Sequence, residues 1–256
     1  MDNNEEVIKY YQGKDAGNDY DEVRYGGAAG AYRQALIRQN MTSALSIFKP
    51  DSQKRILELA PGSGVLTTIL LDQFKDTPLV AIDSSQRMIS ILGQKFTNQI
   101  ESGILTIIHG DAQRLPFAES QFDLVCSLRL LIHYKDPTVF LGEIARVLKP
   151  GGIALVDAHN FFRLDFPNVM FRRFINPKGI GSVPSFYLTP WELKRVYRSP
   201  NLKIISLIGH KLLPPNRLIL RLLSDSHLLN FERIISKRIF KYMCADLYIL
   251  LKKDVA

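Results

Sequence analysis

Residues 56–64 read ILELAPGSG, a short apolar segment that runs directly into a glycine-rich turn. The apolar segment is typical of a β-strand, and apolar residues at helical spacing follow from Gly64 to Phe74. Gly62 and Gly64 allow the backbone to turn sharply and to approach a ligand, toward which the following helix directs its first amide groups. Glu58 places a carboxylate beside this turn, which suits an ammonium group better than a pyrophosphate. These residues therefore predict a strand–turn–helix unit that binds a nucleotide-like molecule.

Strand-like and helix-like segments alternate after this unit. The helices are predicted at Gly64–Phe74, Ser85–Phe96 and Pro137–Leu148, and a helical pattern at Ala31–Phe48 precedes the first strand. The strands are predicted at Arg55–Leu59, Leu79–Ile82, Leu105–His109, Phe122–Ser127, Ile153–Asp157, Leu202–Ile208 and Asp246–Leu251. Apolar strands separated by helices are typical of a parallel sheet covered on both faces. We expect an α/β fold with a Rossmann-like, seven-stranded, mostly parallel sheet and a helical lobe inserted near the C-terminus.

Two further acidic residues follow strand ends. Asp83 comes at the end of the second strand, where it could accept both hydroxyls of a ribose or could instead cap the next helix. Ser84 or Ser85 could serve as that cap, which would leave Asp83 for a ligand. Asp111 follows the third strand, where it could accept the amino group of an adenine.

Five motifs in this order carry a family resemblance: ILELAPGSG (56–64), VAIDSS (80–85), GDAQRLPF (110–117), FDLVCSL (122–128) and RVLKPGG (146–152). The series resembles that of class I S-adenosylmethionine-dependent methyltransferases, and the nearest subgroup is the small-molecule methylases of ubiquinone and menaquinone biosynthesis. The resemblance covers about residues 50–160, with weaker similarity in YDEVRY (20–25). It implies one methyltransferase domain over residues 1–256. Its parts would be an N-terminal lid and helix (1–49), a cofactor-binding core (50–160), a substrate lobe that includes strand six (161–241) and a final strand (242–253).

The resemblance also implies a set of residues that bind S-adenosylmethionine. Glu58 would face its amino end, Asp83 and the neighbouring Ser84 its ribose, and Arg24 its carboxylate, although Arg24 could equally be a surface residue. Ala60 and Pro61 stand where the family often has Gly or Cys-Gly. The remaining expected contacts are the floor under methionine and ribose (Ala60, Gly62, Gly64), the adenine (Met88, Asp111, Ala112) and the methionine moiety (Ser127, Leu128).

Methyl transfer requires an aligned nucleophile and the exclusion of water, and a general base matters only where the nucleophile holds a proton of high pKa. His133 occupies a position that often carries a histidine in the family, and His159 follows the fifth strand. Each is a candidate base and each could be structural, whereas His210 is expected to be structural. Tyr10, Tyr11 and Tyr187 are candidates for the acceptor pocket, although aromatic packing explains them equally well. No metal site is predicted.

The net charge of +8 is unevenly distributed, because residues 160–241 carry 15 Lys and Arg against 4 Asp and Glu. The same residues are rich in aromatic side chains, which suits a small, lipophilic or aromatic acceptor. A basic, aromatic lobe could also rest on a membrane, with a row of cations at the headgroups (Arg217, Arg221, Arg233, Lys237, Arg238). A helical cover with an apolar core is the alternative.

The N-terminus lacks an apolar stretch, and Cys126 and Cys244 lie in apolar runs typical of buried thiols. We therefore expect no signal peptide and a cytoplasmic location. The atom methylated and the oligomeric state stay open.

Three other functions compete with a small-molecule methyltransferase. An RNA or protein methyltransferase would use the basic half, but the chain has Ser-Leu-Arg-Leu at 127–130 where such enzymes carry N-P-P-Y, so no nucleic-acid partner is expected. A non-catalytic S-adenosylmethionine-binding module is the second alternative, and intact Gly62, Gly64, Asp83 and Asp111 argue against it. A nicotinamide dehydrogenase is the third, and it would need a third glycine in the turn.

Overall fold

A computed structural model describes residues 7, 9, 11, 26–49, 51–164, 166–167, 170–171, 185–197, 201–212, 225–235 and 239–255. The strands are β1 (Ile56–Leu59), β2 (Leu79–Asp83), β3 (Leu105–His109), β4 (Phe122–Ser127), β5 (Leu148–Asn160), β6 (Tyr187–Leu188), β7 (Leu202–His210) and β8 (Asp246–Lys253). The helices are α1 (Gly27–Leu45), α2 (Val65–Gln73), α3 (Gln86–Lys95), α4 (Thr97–Glu101), α5 (Thr138–Val147), α6 (Pro190–Val196) and α7 (Asp225–Ile235). Two short 3-10 helices cover Leu131–His133 and Ile239–Met243.

The strands form one sheet in the order β3-β2-β1-β4-β5-β8-β7. All neighbours along this order are parallel except β8, which runs antiparallel to both β5 and β7. The seven expected strands are confirmed, and the structure adds β6, a two-residue strand parallel to the end of β5. Two residues are too few for a period-2 pattern, so no local pattern predicts β6. The chain adds β2 and β3 on one side of β1 and then adds β4 on the other side. Such a switch point between β1 and β4 opens a crevice at the carboxyl ends of the strands.

Apolar side chains of successive strand residues enter two separate cores, one on each face of the sheet. Leu57 and Leu59 of β1 pack in the core that contains Ile144 of α5. Ile56 lies on the opposite face, in the core that contains Met41 of α1 and side chains of α2 and α3. Helices therefore cover both faces, as the alternating segments predict.

The fifth strand is longer than the prediction of Ile153–Asp157. Leu148 already pairs with Phe122, and the register then shifts so that Leu124 faces Ile153. The Pro-Gly-Gly sequence at 150–152, the end of the fifth motif, thus lies in a bulge within the strand, where Gly151 adopts a φ of 76°.

The segments around the sheet agree with the sequence where the structure describes them. Thr189 caps α6 in a capping box with Glu192, the pattern that its Thr-Pro start predicts. Within the expected helical lobe, the structure describes α7 and the second 3-10 helix. Cys126 and Cys244 are buried free thiols, as expected. None of the described helices is long and apolar enough to cross a membrane.

Candidate functional site

A cleft with about 940 Å³ of empty space, part of it open to solvent, lies at the carboxyl ends of β1, β2 and β4. This is the switch point of the sheet, where open α/β folds bind ligands. The cleft brings together ten of the residues expected to bind the cofactor or to act as a base: Glu58, Ala60, Gly62, Asp83, Ser84, Met88, Asp111, Ala112, Leu128 and His133.

The glycine-rich turn forms the floor of this cleft through an unusual backbone. Ala60, Gly62 and Gly64 all have positive φ angles, of 51°, 56° and 82°. A Cβ on Gly62 would meet no atom within 4 Å, so the backbone there is open to a ligand. Gly64 is the N-cap of α2, and a Cβ there would lie 2.6 Å from the ring of Phe96. Gly64 therefore serves the packing of the turn, whereas Gly62 faces the cleft.

Glu58 has a buried carboxyl group, of which one oxygen accepts a hydrogen bond from a described residue and the other does not. Its Oε2 accepts a 2.7 Å hydrogen bond from the Thr67 hydroxyl on α2. Its Oε1 is also buried, and no described residue donates to it. Burial is the main cause that raises the pKa of Glu58 to about 8, and the nearby Asp83 carboxylate adds to this. An unpartnered, buried carboxylate oxygen at a cleft fits a cationic group of a ligand.

Asp83 lies at the end of β2 and is held by backbone amides. Its Oδ2 accepts from the Gly62 N–H at 3.2 Å, and its Oδ1 accepts from the Ser85 N–H at 2.8 Å. Burial raises the pKa of Asp83 above its ordinary value. Ser85 caps α3 by accepting from the Met88 N–H, so the cap does not depend on Asp83. The remaining lone pairs of the Asp83 carboxylate are thus available to a ligand.

Asp111 lies in the loop after β3, where its Oδ1 accepts from the Gln113 N–H at 2.8 Å. Arg146 of α5 holds the next part of this loop, because its guanidinium donates to the carbonyl oxygens of Leu115 and Phe117. Glu143 completes the clamp by pairing with Arg146 and accepting from the Leu115 N–H. The sequence places Arg146 in a motif but predicts no role for it, since the carbonyl oxygens that it binds lie 29 and 31 residues earlier in the chain.

His133 enters the cleft wall from the first 3-10 helix, which follows β4. The hydroxyl of Tyr11 lies 3.3 Å from its Nε2. The backbone carbonyl of Tyr11 accepts from the Ser85 hydroxyl at 3.0 Å, beside the end of β2. Tyr11 therefore spans the cleft from the β2 side to the β4 side, and it lines the cleft together with Val7.

Three predicted site residues are not in the cleft wall, and a fourth lies outside the described residues. Gly64 packs as described above, and Ser127 is buried at the end of β4. His159 is buried at the end of β5, where its ring stacks on Tyr187 at 5.1 Å and bonds to Asp246. Arg24 is the residue outside the described part of the chain, where the pocket candidate Tyr10 also lies. Among the described residues, no group of three or more His, Cys, Asp or Glu side chains could hold a metal ion.

Comparison with known proteins identifies residues 57–156 as a match to the family described as "Methyltransferase domain". An O-methyltransferase of Pyrenophora dematioidea is 29% identical over 117 residues, which cover 45% of this chain and 43% of that protein. Demethylmenaquinone methyltransferase of Bacteroides fragilis is 24% identical over 155 residues, 58% of this chain and 63% of that protein. The chain thus spans about half the length of the curated relatives that it matches.

The fold has close counterparts among solved structures. Magnesium protoporphyrin IX methyltransferase of Synechocystis PCC 6803, solved with bound SAH (S-adenosylhomocysteine), superposes with a TM-score of 0.67 at 13% identity. The superposition covers 99% of this chain and 100% of that one, so the likeness is one of fold. The cleft described above lies in the segment that the family match covers, apart from Val7 and Tyr11. Residues 57–156 therefore match a methyltransferase family, and the chain resembles the class I S-adenosylmethionine-dependent methyltransferases, the quinone methyltransferases among them.

Proposed function

We propose that the chain transfers a methyl group from S-adenosylmethionine to a small, lipophilic or aromatic acceptor by in-line displacement. The observation that carries this proposal is the pair of buried carboxyl groups, Glu58 and Asp83, on either side of the glycine turn. An amino acid joined to a nucleoside presents an ammonium group and two ribose hydroxyls, which match these two carboxyl groups in kind.

The residues of the cleft divide the binding of the cofactor between them. Glu58 would hold the ammonium group through Oε1, and Asp83 would accept from the ribose hydroxyls while the Gly62 and Ser85 amides fix its orientation. Met88 and Ala112 offer apolar surface for the adenine, and Asp111 an acceptor for its amino group. When bound, S-adenosylmethionine supplies a methyl carbon made electrophilic by the attached sulfonium.

The chain's own contribution to the chemistry is alignment, exclusion of water and, for a protonated nucleophile, removal of a proton. Tyr11 and Val7 line the cleft and would shield part of it from water. His133 lies in the wall on the β4 side, and its imidazole ring would accept a proton from the acceptor. Tyr11 orients that ring through its hydroxyl.

We assign the acceptor to residues 161–241, the segment that the sequence predicts to be a substrate lobe because it is aromatic and basic. One contact supports this assignment: the Phe186 N–H donates to the Ile132 carbonyl oxygen at 2.9 Å. This bond joins the lobe to the 3-10 helix that carries His133. An acceptor held by the lobe would therefore approach the cleft from the β4–β5 side, opposite the adenine side.

Titration calorimetry with S-adenosylhomocysteine and its 2′-deoxyribose analogue tests the cofactor assignment. The wild-type protein should bind the ribose form more tightly, on the order of tenfold, because one charged hydrogen bond contributes about 1.5–3 kcal/mol. Asp83→Asn should reduce this ratio toward one, whereas Asp72→Asn, an exposed acid on α2, should leave it unchanged. If Asp83 were merely structural, Asp83→Asn would weaken the binding of both ligands equally. Folded wild-type protein that binds neither ligand would overturn the proposal. If the protein does bind, incubation with labelled S-adenosylmethionine and metabolite extracts would identify the acceptor.

A further inference from the structure

Large apolar side chains are exposed together where β5 ends and β8 begins. Phe162 and Leu164 follow β5 and are 45% and 47% exposed, and Trp191 at the start of α6 is 64% exposed. Phe240 and Met243, in the 3-10 helix before β8, are 46% and 38% exposed. We call these five residues the carboxyl-edge patch.

The patch is continuous because its three segments contact one another. The rings of Phe162 and Trp191 lie 5.4 Å apart and join the turn after β5 to α6. The Leu164 N–H donates to the Met243 carbonyl oxygen at 3.0 Å and joins the same turn to the 3-10 helix. Monomeric proteins rarely expose a contiguous group of large apolar residues unless it binds something.

Cationic residues are interspersed with the patch. Lys194 and Arg195 follow Trp191 by three and four positions on α6, so the three side chains share its exposed face. Lys241 lies between Phe240 and Met243 in the sequence. Glu192, the acidic residue of α6, accepts hydrogen bonds from the Thr189 backbone and hydroxyl and so serves the capping box. The surroundings of the patch therefore carry net positive charge.

The position of the patch relates it to the cleft. β5 ends at Asn160, so the turn that carries Phe162 leaves the same edge of the sheet at which the cleft opens. The short segment before α6 is bonded to the 3-10 helix of the cleft wall through Phe186 and Ile132. A surface on which the patch rests would thus lie beside the cleft.

We propose that the carboxyl-edge patch docks on the surface of an anionic lipid bilayer. Tryptophan and phenylalanine partition into the interface between headgroups and acyl chains, while lysine and arginine remain at the level of the phosphates. This combination matches the arrangement of Trp191 with Lys194 and Arg195 on one face. A soluble protein partner of matching charge would need acidic residues, whereas a bilayer supplies both an apolar layer and a uniform negative surface. Docking in this orientation brings the cleft next to molecules dissolved in the membrane, a role that goes beyond methyl transfer itself.

Trp191 is the only tryptophan of the chain, so its fluorescence reports on this surface directly. Vesicles of phosphatidylcholine mixed with phosphatidylglycerol should shift the emission of Trp191 to shorter wavelength, and phosphatidylcholine alone should shift it far less. High salt should reverse the shift, because it screens the attraction between the cations and the lipid. The whole 256-residue chain is used, without cofactor or acceptor.

Variants separate the two parts of the interaction, with vesicle sedimentation as the readout. Lys194→Ala with Arg195→Ala should weaken binding to the mixed vesicles on the order of tenfold, because each cation contributes about 1 kcal/mol near such a surface. Phe162→Ser with Leu164→Ser should weaken it by a similar factor through the loss of inserted apolar area. Ile47→Ser and the pair Lys49→Ala with Lys75→Ala, exposed residues near the amino ends of the strands, are the matched controls and should bind like the wild type.

Three results would overturn the proposal: an emission that mixed vesicles leave unchanged at low salt, controls that lose as much binding as the patch variants, or a shift that grows with protein concentration without vesicles. The last result would identify a second copy of the chain as the occupant. Each result is independent of S-adenosylhomocysteine binding, so failure of the docking surface is distinguishable from failure of the proposed activity.

Discussion

The Nδ1 atom of His159 donates a 2.6 Å hydrogen bond to Oδ1 of Asp246, its direct partner across the β5–β8 ladder. His210 is the partner of Asp246 on the other side, in β7, and Tyr187 is the partner of His159 in β6. The four side chains therefore form one row across four strands at the carboxyl end of β5. Burial acts to raise the pKa of Asp246, but Lys211 and His159 outweigh it and hold that pKa well below its usual range. Asp246 is thus ionised and accepts, so His159 carries its proton on Nδ1.

Asp246→Asn should remove the preference of His159 for the tautomer that is protonated on Nδ1. Burial lowers the pKa of His159, so the ring is neutral at pH 7 and the carboxylate is what selects Nδ1–H. Imidazole ¹⁵N spectra should show an Nδ1-protonated ring for His159 in the wild type and a mixture of tautomers in the variant. The free energy of unfolding should fall by about 2 kcal/mol, since a charged hydrogen bond is lost in a buried site. Asp254→Asn, at an exposed ion pair just after β8, is the control and should change neither spectrum nor stability. An unchanged His159 spectrum in Asp246→Asn would contradict the assignment.

The pKa of Glu58 should make cofactor binding depend on pH. Because that pKa is about 8 in the free protein and 4.5 for an ordinary Glu, the folded state holds the proton more strongly than the unfolded state. The contribution of Glu58 to stability is therefore fully present below pH 4.5 and is lost as the pH rises through 8. A cationic ligand requires the ionised form, so its affinity should rise on the order of tenfold from pH 6 to pH 7.5. Calorimetry in two buffers of different ionisation enthalpy should show a proton released on binding.

Glu58→Gln separates this effect from other titrations. The variant should bind S-adenosylhomocysteine more weakly, show little change of affinity over the same pH range and release no proton from this site. The free energy of unfolding of the variant should depend less on pH over this range than that of the wild type. A variant that keeps the full pH dependence would show that another group is responsible.

The positions of acidic residues at strand ends can be predicted from the sequence, whereas contacts between distant elements cannot. Glu58, Asp83 and Asp111 could be placed together because parallel strands end at one edge of a sheet, whatever the order of the strands. The pairing of His159 with Asp246 could not, because it depends on β8 lying between β5 and β7, an order that no local pattern encodes. The Arg146 clamp was missed for the same reason. Tyr11 was a candidate on its residue type alone, and its two contacts across the cleft depend on where the N-terminal segment lies.

Arg146→Lys should loosen the loop that carries Asp111 and Ala112, although Arg146 itself is not part of the cleft wall. The planar guanidinium bonds to two carbonyl oxygens and to Glu143 at once, and a lysine ammonium cannot reproduce this geometry. We expect a loss of about 1–2 kcal/mol in the free energy of unfolding by urea. S-adenosylhomocysteine affinity should fall more than that of a fragment without adenine, such as homocysteine. Arg38→Lys, in an exposed pair with Asp72, is the control. Equal losses for both ligands would mean that the clamp does not position the adenine side.

Gly64→Ala and Gly93→Ala should change stability in opposite directions. Gly64 has a φ of 82°, and an added Cβ would lie 2.6 Å from Phe96 and 2.9 Å from Leu92, so backbone strain and overpacking act together. The free energy of unfolding should fall by about 2–4 kcal/mol. Gly93 lies within α3, and an added Cβ there would meet no atom within 4 Å. Its replacement should stabilise the protein by about 0.5–1 kcal/mol, because alanine loses less backbone entropy in a helix. Urea denaturation of the two variants beside the wild type provides the comparison. A Gly64→Ala protein as stable as the wild type would show that the turn at the start of α2 has room for a side chain, and the packing role of Gly64 would then be wrong.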